Sequence, residues 1–195
     1  MSHDYKFCTL EKRDHIWIIT INRPDALNAL HPPINYELEA IFNDYAADKN
    51  AWVAILTGAG DKSFSVGHDL KFQAAGGKIT IPKTGFAGLT SRFDLDKPVI
   101  AAVNGFAMGG GFEVALACDL IVADSRALFA LPEPKVGLAA LAGGIHRLSR
   151  QIGEKHANDI LLTARKVTAE EGLRMGFINR IVATSSSTSV LDEAL

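Results

Sequence analysis

Two stretches of the chain carry the residue types of an anion-stabilising catalytic site. The first is Phe64-Ser-Val-Gly-His-Asp-Leu-Lys71 and the second is Asn104-Gly-Phe-Ala-Met-Gly-Gly-Gly-Phe-Glu113. Each puts glycine where backbone N–H groups can approach a ligand closely. The second adds a carboxylate, Glu113, three residues past its central glycine, Gly110. Two N–H groups aimed at one oxygen stabilise the charge that forms when a thioester carbonyl becomes an enolate. A second carboxylate, Glu133, lies between Pro132 and Pro134, whose rings restrict its backbone. Paired carboxylates can position one water and relay protons on one face of a double bond. That requires surroundings that keep one protonated while the other is a base, and the sequence does not say which is which.

The segments around these residues read as alternating strands and helices. Residues 15–22 and Trp52-Val-Ala-Ile-Leu-Thr57 are apolar and β-branched, as strands are. Pro98 to Asn104, Asp119 to Ala123, Leu128 to Leu131 and Phe177 to Val182 read the same way. After Pro32-Pro33, Ile34, Leu38, Ile41, Phe42 and Tyr45 recur at helical spacing. Gly109 to Cys118 reads as a helix, so Gly110 sits at its positive end. Further helices fall near 143–151 and 154–163, and at Thr168–Met175, which opens on a Thr-Ala-Glu-Glu cap. Residues 75–90 are rich in glycine and read as a surface loop. The pattern predicts an α/β class with mostly parallel pairing, one domain over 1–183, and a disordered or truncated tail over 184–195.

Bulk properties narrow the function. The chain has 195 residues, 48% hydrophobic and 22% charged, with a formal net charge of -2 and no basic block. That composition suits one soluble core and gives no footprint for nucleic acid or a membrane surface. No apolar run approaches the length of a membrane span, and the N-terminus shows no signal or transit pattern, so a cytoplasmic setting is the expectation. Phosphate-binding, dinucleotide-binding and nucleophile-elbow motifs are missing, and no two of the six histidines stand at ligand spacing, so neither a metal nor a redox cofactor is expected. Cys118 reads as a core residue, Trp17 and Trp52 as core residues of strands, and His31, His146 and His156 as solvated or capping groups.

Four stretches resemble the enoyl-CoA hydratase/isomerase (crotonase) family: Asn22-Arg-Pro-Asp-Ala-Leu-Asn-Ala-Leu30, Phe64 to Leu70, Ala102 to Glu113, and Pro132-Glu133, in the family's order. Leu141-Ala-Gly-Gly-Ile-His-Arg-Leu148 stands where the family has a Gly-Gly turn before a helix, and the resemblance covers about residues 5–183. It implies a crotonase-like ββα spiral core with flanking helices. It implies that the oxyanion hole is formed by the backbone N–H groups of His68 and Gly110, the His68 side chain being incidental. It further implies that Glu113 activates water for attack at C3 and that Glu133 supplies the proton to C2 of a 2-enoyl-CoA. Coenzyme A arrives as part of the thioester. Ala26, Leu27, His68, Asp69, Leu70, Lys71 and Gly110 match positions that contact coenzyme A or substrate, although Asp69 by itself reads as a side-chain cap ordering its turn.

Two features depart from the family's pattern. Ala139-Ala140 and Ile145-His146 replace Pro-Gly and Thr-Gln pairs common in relatives, which leaves the acyl preference open. Relatives also continue past the last strand into C-terminal helices that cover the pocket and join subunits in a trimer, or a dimer of trimers, and these are absent from the chain. The expected function is an enoyl-CoA hydratase-like lyase. An isomerase or a specialised acyl-CoA dehydratase is the alternative, and a non-catalytic acyl-CoA-binding subunit is the reading from another class.

Overall fold

The computed structural model describes residues 5–183 and 188–195. An antiparallel pair opens the chain, β1 (Cys8–Arg13) against β2 (Ile16–Ile21), with Thr9 opposite Thr20 and Lys12 opposite Trp17. Helix α1 (Pro32–Ala47) begins on its two prolines, where the missing N–H groups have no helical partner to lose. It buries Ile34, Leu38, Ile41, Phe42 and Tyr45 and leads to β3 (Val53–Gly58), parallel to β2.

From β3 onward the chain winds between two sheets. Each turn lays one strand in each sheet: β3 then β4 (Ser63–Ser65), followed by the short helix α2 (Leu70–Ala74). Next come β5 (Val99–Val103), β6 (Phe106–Met108) and helix α3 (Gly110–Ala117). The third turn is β7 (Leu120–Asp124) and β8 (Leu128–Ala130), then a 3-10 turn at Glu133–Val136 and helices α4 (Gly144–Ile152) and α5 (Glu154–Thr163). Strand β9 (Val167–Thr168), helix α6 (Ala169–Met175), strand β10 (Arg180–Val182) and helix α7 (Val190–Ala194) complete the described chain.

The result is a six-stranded sheet in the order β1-β2-β3-β5-β7-β10 and a four-stranded sheet in the order β4-β6-β8-β9. All neighbours pair in parallel except β1 with β2 and β8 with β9. Parallel sheets are covered on both faces, which is why the central strands read as unbroken apolar runs. The main core lies between the sheets and α1, and includes Trp17, Phe42, Phe64, Phe112 and Phe129. A smaller cluster on the other face of the large sheet joins Ile55, Ala102 and Val122 to Val190 and Ala194 of α7.

Several expectations need correction. Residues 184–187 of the expected disordered tail lie outside the described residues, but Val190–Ala194 is helical. Ser189 and Asp192 form a reciprocal capping box at the start of α7. Trp52 is not a core residue: it precedes β3, is 62% exposed, and stacks on His15 with ring centroids 3.8 Å apart. His31 is buried rather than solvated, its ring edge-on to Phe7 and Phe72. The surface loop 75–90 is exposed only in its first half. Phe86 to Thr90 are buried, and Ala87 is held in left-handed backbone by a hydrogen bond from its N–H to Asn35 Oδ1 at 2.9 Å.

Candidate active site

The N-terminus of α3 is the centre of the site. Gly110 is its first residue, and a first-turn N–H has no helical acceptor. The second amide is aimed by a different element. Leu30 and His68 form an isolated parallel bridge, in which Leu30 N–H donates to Gly67 O at 2.7 Å and Asp69 N–H donates to Leu30 O at 3.0 Å. In a parallel bridge the middle residue's own N–H faces away from the partner strand. The His68 N–H is therefore turned from Leu30, and neither it nor the Gly110 N–H meets a backbone acceptor among the described residues. Gly67 brings the two close: its φ is +78°, and a β-carbon there would stand 2.7 Å from both Gly110 N and Met108 O.

His68, Gly110, Glu113 and Glu133 all line one cavity of about 550 Å³, a size suited to a small ligand. Its remaining wall is mostly apolar, with Val66, Leu70, Phe86, Leu138 and Leu141 among its residues. The Phe86 ring lies directly over Gly110, in the space a β-carbon would need. Leu70, placed by α2, lines the cavity, whereas Ala26, Leu27, Asp69 and Lys71 do not. The Asp69 carboxylate is already engaged. It accepts from Phe72 N–H at 3.0 Å, capping α2, and pairs with Arg23 at 3.0 Å. Asp69→Ala is expected to cost about 1–2 kcal/mol of stability through loss of the cap, read from urea unfolding midpoints.

Two carboxyl groups share this apolar space in different settings. Glu113 is 3% exposed, and its Oε1 accepts from Gly144 N–H at 2.9 Å at the N-terminus of α4. Burial, opposed by the Gly144 hydrogen bond and reinforced by the charge of Glu133, pushes its pKa up to about 7. Burial likewise raises Glu133. Its Oε1 lies beside the start of α3, 2.9 Å from where a Gly109 β-carbon would be, and its Oε2 is buried without a hydrogen-bond partner among the described residues. An unpartnered carboxyl oxygen in an apolar cavity favours the protonated form and leaves a hydroxyl free to donate.

Sequence reasoning missed three contributors. Phe86 comes from a segment read as surface loop. Gly144 and Arg147 come from α4, and their nearness to Glu113 is a tertiary contact without a local signal.

A family model described as enoyl-CoA hydratase/isomerase matches residues 11–195. The chain belongs to the enoyl-CoA hydratase/isomerase family. Among its relatives, a carnitinyl-CoA dehydratase of Citrobacter koseri is 47% identical over 178 residues, 90% of this chain and 67% of the relative. A protein of the same description from Escherichia coli K12 is 46% identical over 187 residues, covering 95% of this chain and 70% of the relative. A solved carnitinyl-CoA dehydratase from Mycobacterium avium superposes with a TM-score of 0.90 at 44% identity, covering 96% of this chain and 73% of that one. An enoyl-CoA hydratase from Mycobacterium tuberculosis gives 0.89 at 39% identity, covering 96% of this chain and 72% of that one. The two-sheet spiral is thus the crotonase fold, and these family members are longer than the present chain. Among the described residues, no helix is long and apolar enough to cross a membrane.

Proposed function

We propose that the chain is an enoyl-CoA hydratase-like lyase that adds water to a 2-enoyl-CoA thioester, or removes it from a 3-hydroxyacyl-CoA. The observation that carries this reading is the convergence of two unpaired backbone amides, the buried carboxyl of Glu113 and the part-buried carboxyl of Glu133 on one cavity. The thioester oxygen takes the N–H groups of His68 and Gly110, and the charge that develops on it as C3 is attacked is held there and by the positive end of α3. Glu113 is the base for water: the Gly144 N–H favours its ionised form, and a pKa near 7 leaves it able to take a proton at neutral pH. Glu133, raised and unpartnered, delivers the proton to C2. In the dehydration direction the two exchange roles. No resident metal or redox group is needed, since coenzyme A enters with the substrate. A homotrimer belongs to the same reading, supported by the exposed apolar side chains of Phe93, Leu141 and Leu162.

Within this class, the identity of 46–47% to carnitinyl-CoA dehydratases favours that dehydration as the particular reaction. The Phe86 ring would offer an aromatic face to a quaternary ammonium acyl group. The test is turnover by the purified chain of crotonyl-CoA, carnitinyl-CoA and a 3-enoyl-CoA. Loss of water from carnitinyl-CoA faster than hydration of crotonyl-CoA is expected. Turnover of the 3-enoyl ester alone would make it an isomerase. Tight binding without turnover of any ester would leave only an acyl-CoA-binding role.

A further inference from the structure

Arg147, on the first turn of α4, has no place in the chemistry above, yet its setting is costly. Its side chain folds back toward the N-terminus of its own helix, so that a β-carbon on Gly143 would land on its Nη1. Gly143 has a φ of +113°, and its lack of a side chain is what leaves room for the guanidinium. A cation at a helix N-terminus opposes the helix dipole. Nη1 is moreover buried with no hydrogen-bond partner among the described residues, which is unfavourable for a charged donor. One face of the guanidinium is covered by the Phe93 ring, its centroid 5.9 Å away, and that contact supplies no counter-charge.

The same helix end holds the Glu113 carboxylate, through the Gly144 N–H, three residues before Arg147. We propose that Arg147 is a positioning residue: it keeps the Glu113 carboxylate ionised against the N-terminus of α4, and its unfavourable placement is offset by that buried anion. The proposal rests on the lyase reading for its functional meaning, since an ionised Glu113 is the base for water.

The groups around Glu113 leave Arg147 as the compensating cation. Glu133, from the 3-10 turn, faces it with like charge, while the N–H groups of Ala142 and Gly144 favour its anion. On its own helix, Cys118 is buried with its thiol pushed up, so it stays neutral and provides no counter-ion for Arg147. His146 is exposed, its ring carbon Cε1 3.6 Å from where a Gly143 β-carbon would be. Arg147 and Glu113 form no direct ion pair among the described residues; Arg147 Nη1 lies at Gly143 and Glu113 Oε1 at the adjacent Gly144, and from there each weakly favours the charged form of the other.

The test is a ¹³C NMR titration of the chain labelled at the glutamate side-chain carboxyl carbon, with Glu113→Gln used to assign the signal. In Arg147→Met and Arg147→Gln the Glu113 midpoint is expected to rise, as loss of an opposite charge requires. In Arg147→Lys it stays at the wild-type value. The low-pH limb of the rate profile for hydration moves with it. An unchanged midpoint in folded Arg147→Gln, or a lower rate with an unmoved profile, would overturn the proposal. Glutamine, though shorter than arginine, keeps an unbranched stem and a hydrogen-bonding head, so the fold is retained where methionine disturbs it. The NMR titration needs no turnover, so failure of the lyase reading and failure of this one are separate results.

Discussion

Glu113→Gln loses hydration activity by about 10²–10⁴-fold, the contribution of a positioned base, while the pH dependence of stability flattens between about pH 4.5 and 7. The two effects have one origin. The carboxyl is almost fully buried, and its pKa is pushed from an ordinary 4.5 to about 7. Between those values the folded chain binds a proton more tightly than the unfolded chain. The contribution of this group is therefore fully present below about pH 4.5 and is lost as pH rises through 7, by about 3 kcal/mol over the window. Glutamine keeps an acceptor for the Gly144 N–H without a charge to bury, so the variant lacks that loss. Urea unfolding of both proteins at pH 5 and pH 8 measures it: a difference that opens toward pH 8 is expected. Equal hydration rates for the two proteins would remove Glu113 from the chemistry. Parallel pH dependences would mean that the carboxyl is not the strained group.

The second large effect belongs to a residue without a side chain. Gly67→Ala places a methyl carbon 2.7 Å from Gly110 N and Met108 O, in backbone that disfavours any β-carbon. The bridge to Leu30 fixes residue 67 from one side and α3 fixes Gly110 from the other, so the methyl can be accommodated only by parting the two amides. Loss of one oxyanion donor typically lowers the rate by about 10²–10³-fold, and that is the expected fall in kcat. Gly153→Ala is the control. Its φ of +80° and ψ of 155° also disfavour a β-carbon, by about 1–3 kcal/mol, but nothing lies within 4 Å of that position. Both variants should lower the thermal midpoint, and only Gly67→Ala should lose kcat. Equal kcat losses in the two would assign the effect to strain and not to the amide pair.

These outcomes bear on how a site of this kind is encoded. The buried parallel strands were legible because strands covered on both faces are continuous apolar runs, and α1 was legible because its buried positions keep helical spacing behind two prolines. Strands β4, β6 and β9, at two or three residues each, are too short to show any period. Helix α2 has five residues and no buried face to mark it. Trp52 misled because aromatic character suits a strand, whereas exposure depends on where the strand begins. His31 does stand at the N-cap position of α1, without a side-chain hydrogen bond; it is not solvated because the rings of Phe7 and Phe72 that enclose it come from distant segments.

The sequence by itself determined the class of fold, the family, and the residues whose types can stabilise an oxyanion and move protons, since glycine spacing and carboxylate identity are local properties. The tertiary structure alone decided what those residues are. It turned the His68 amide away from Leu30, laid Phe86 over Gly110, and set Glu113 on the N-terminus of α4. Acidity and amide direction depend on burial and on partners 30 or more residues away, such as Gly144 for Glu113. No window of the chain contains both members of such a pair, so the chemistry could be named from the sequence but its working state could not.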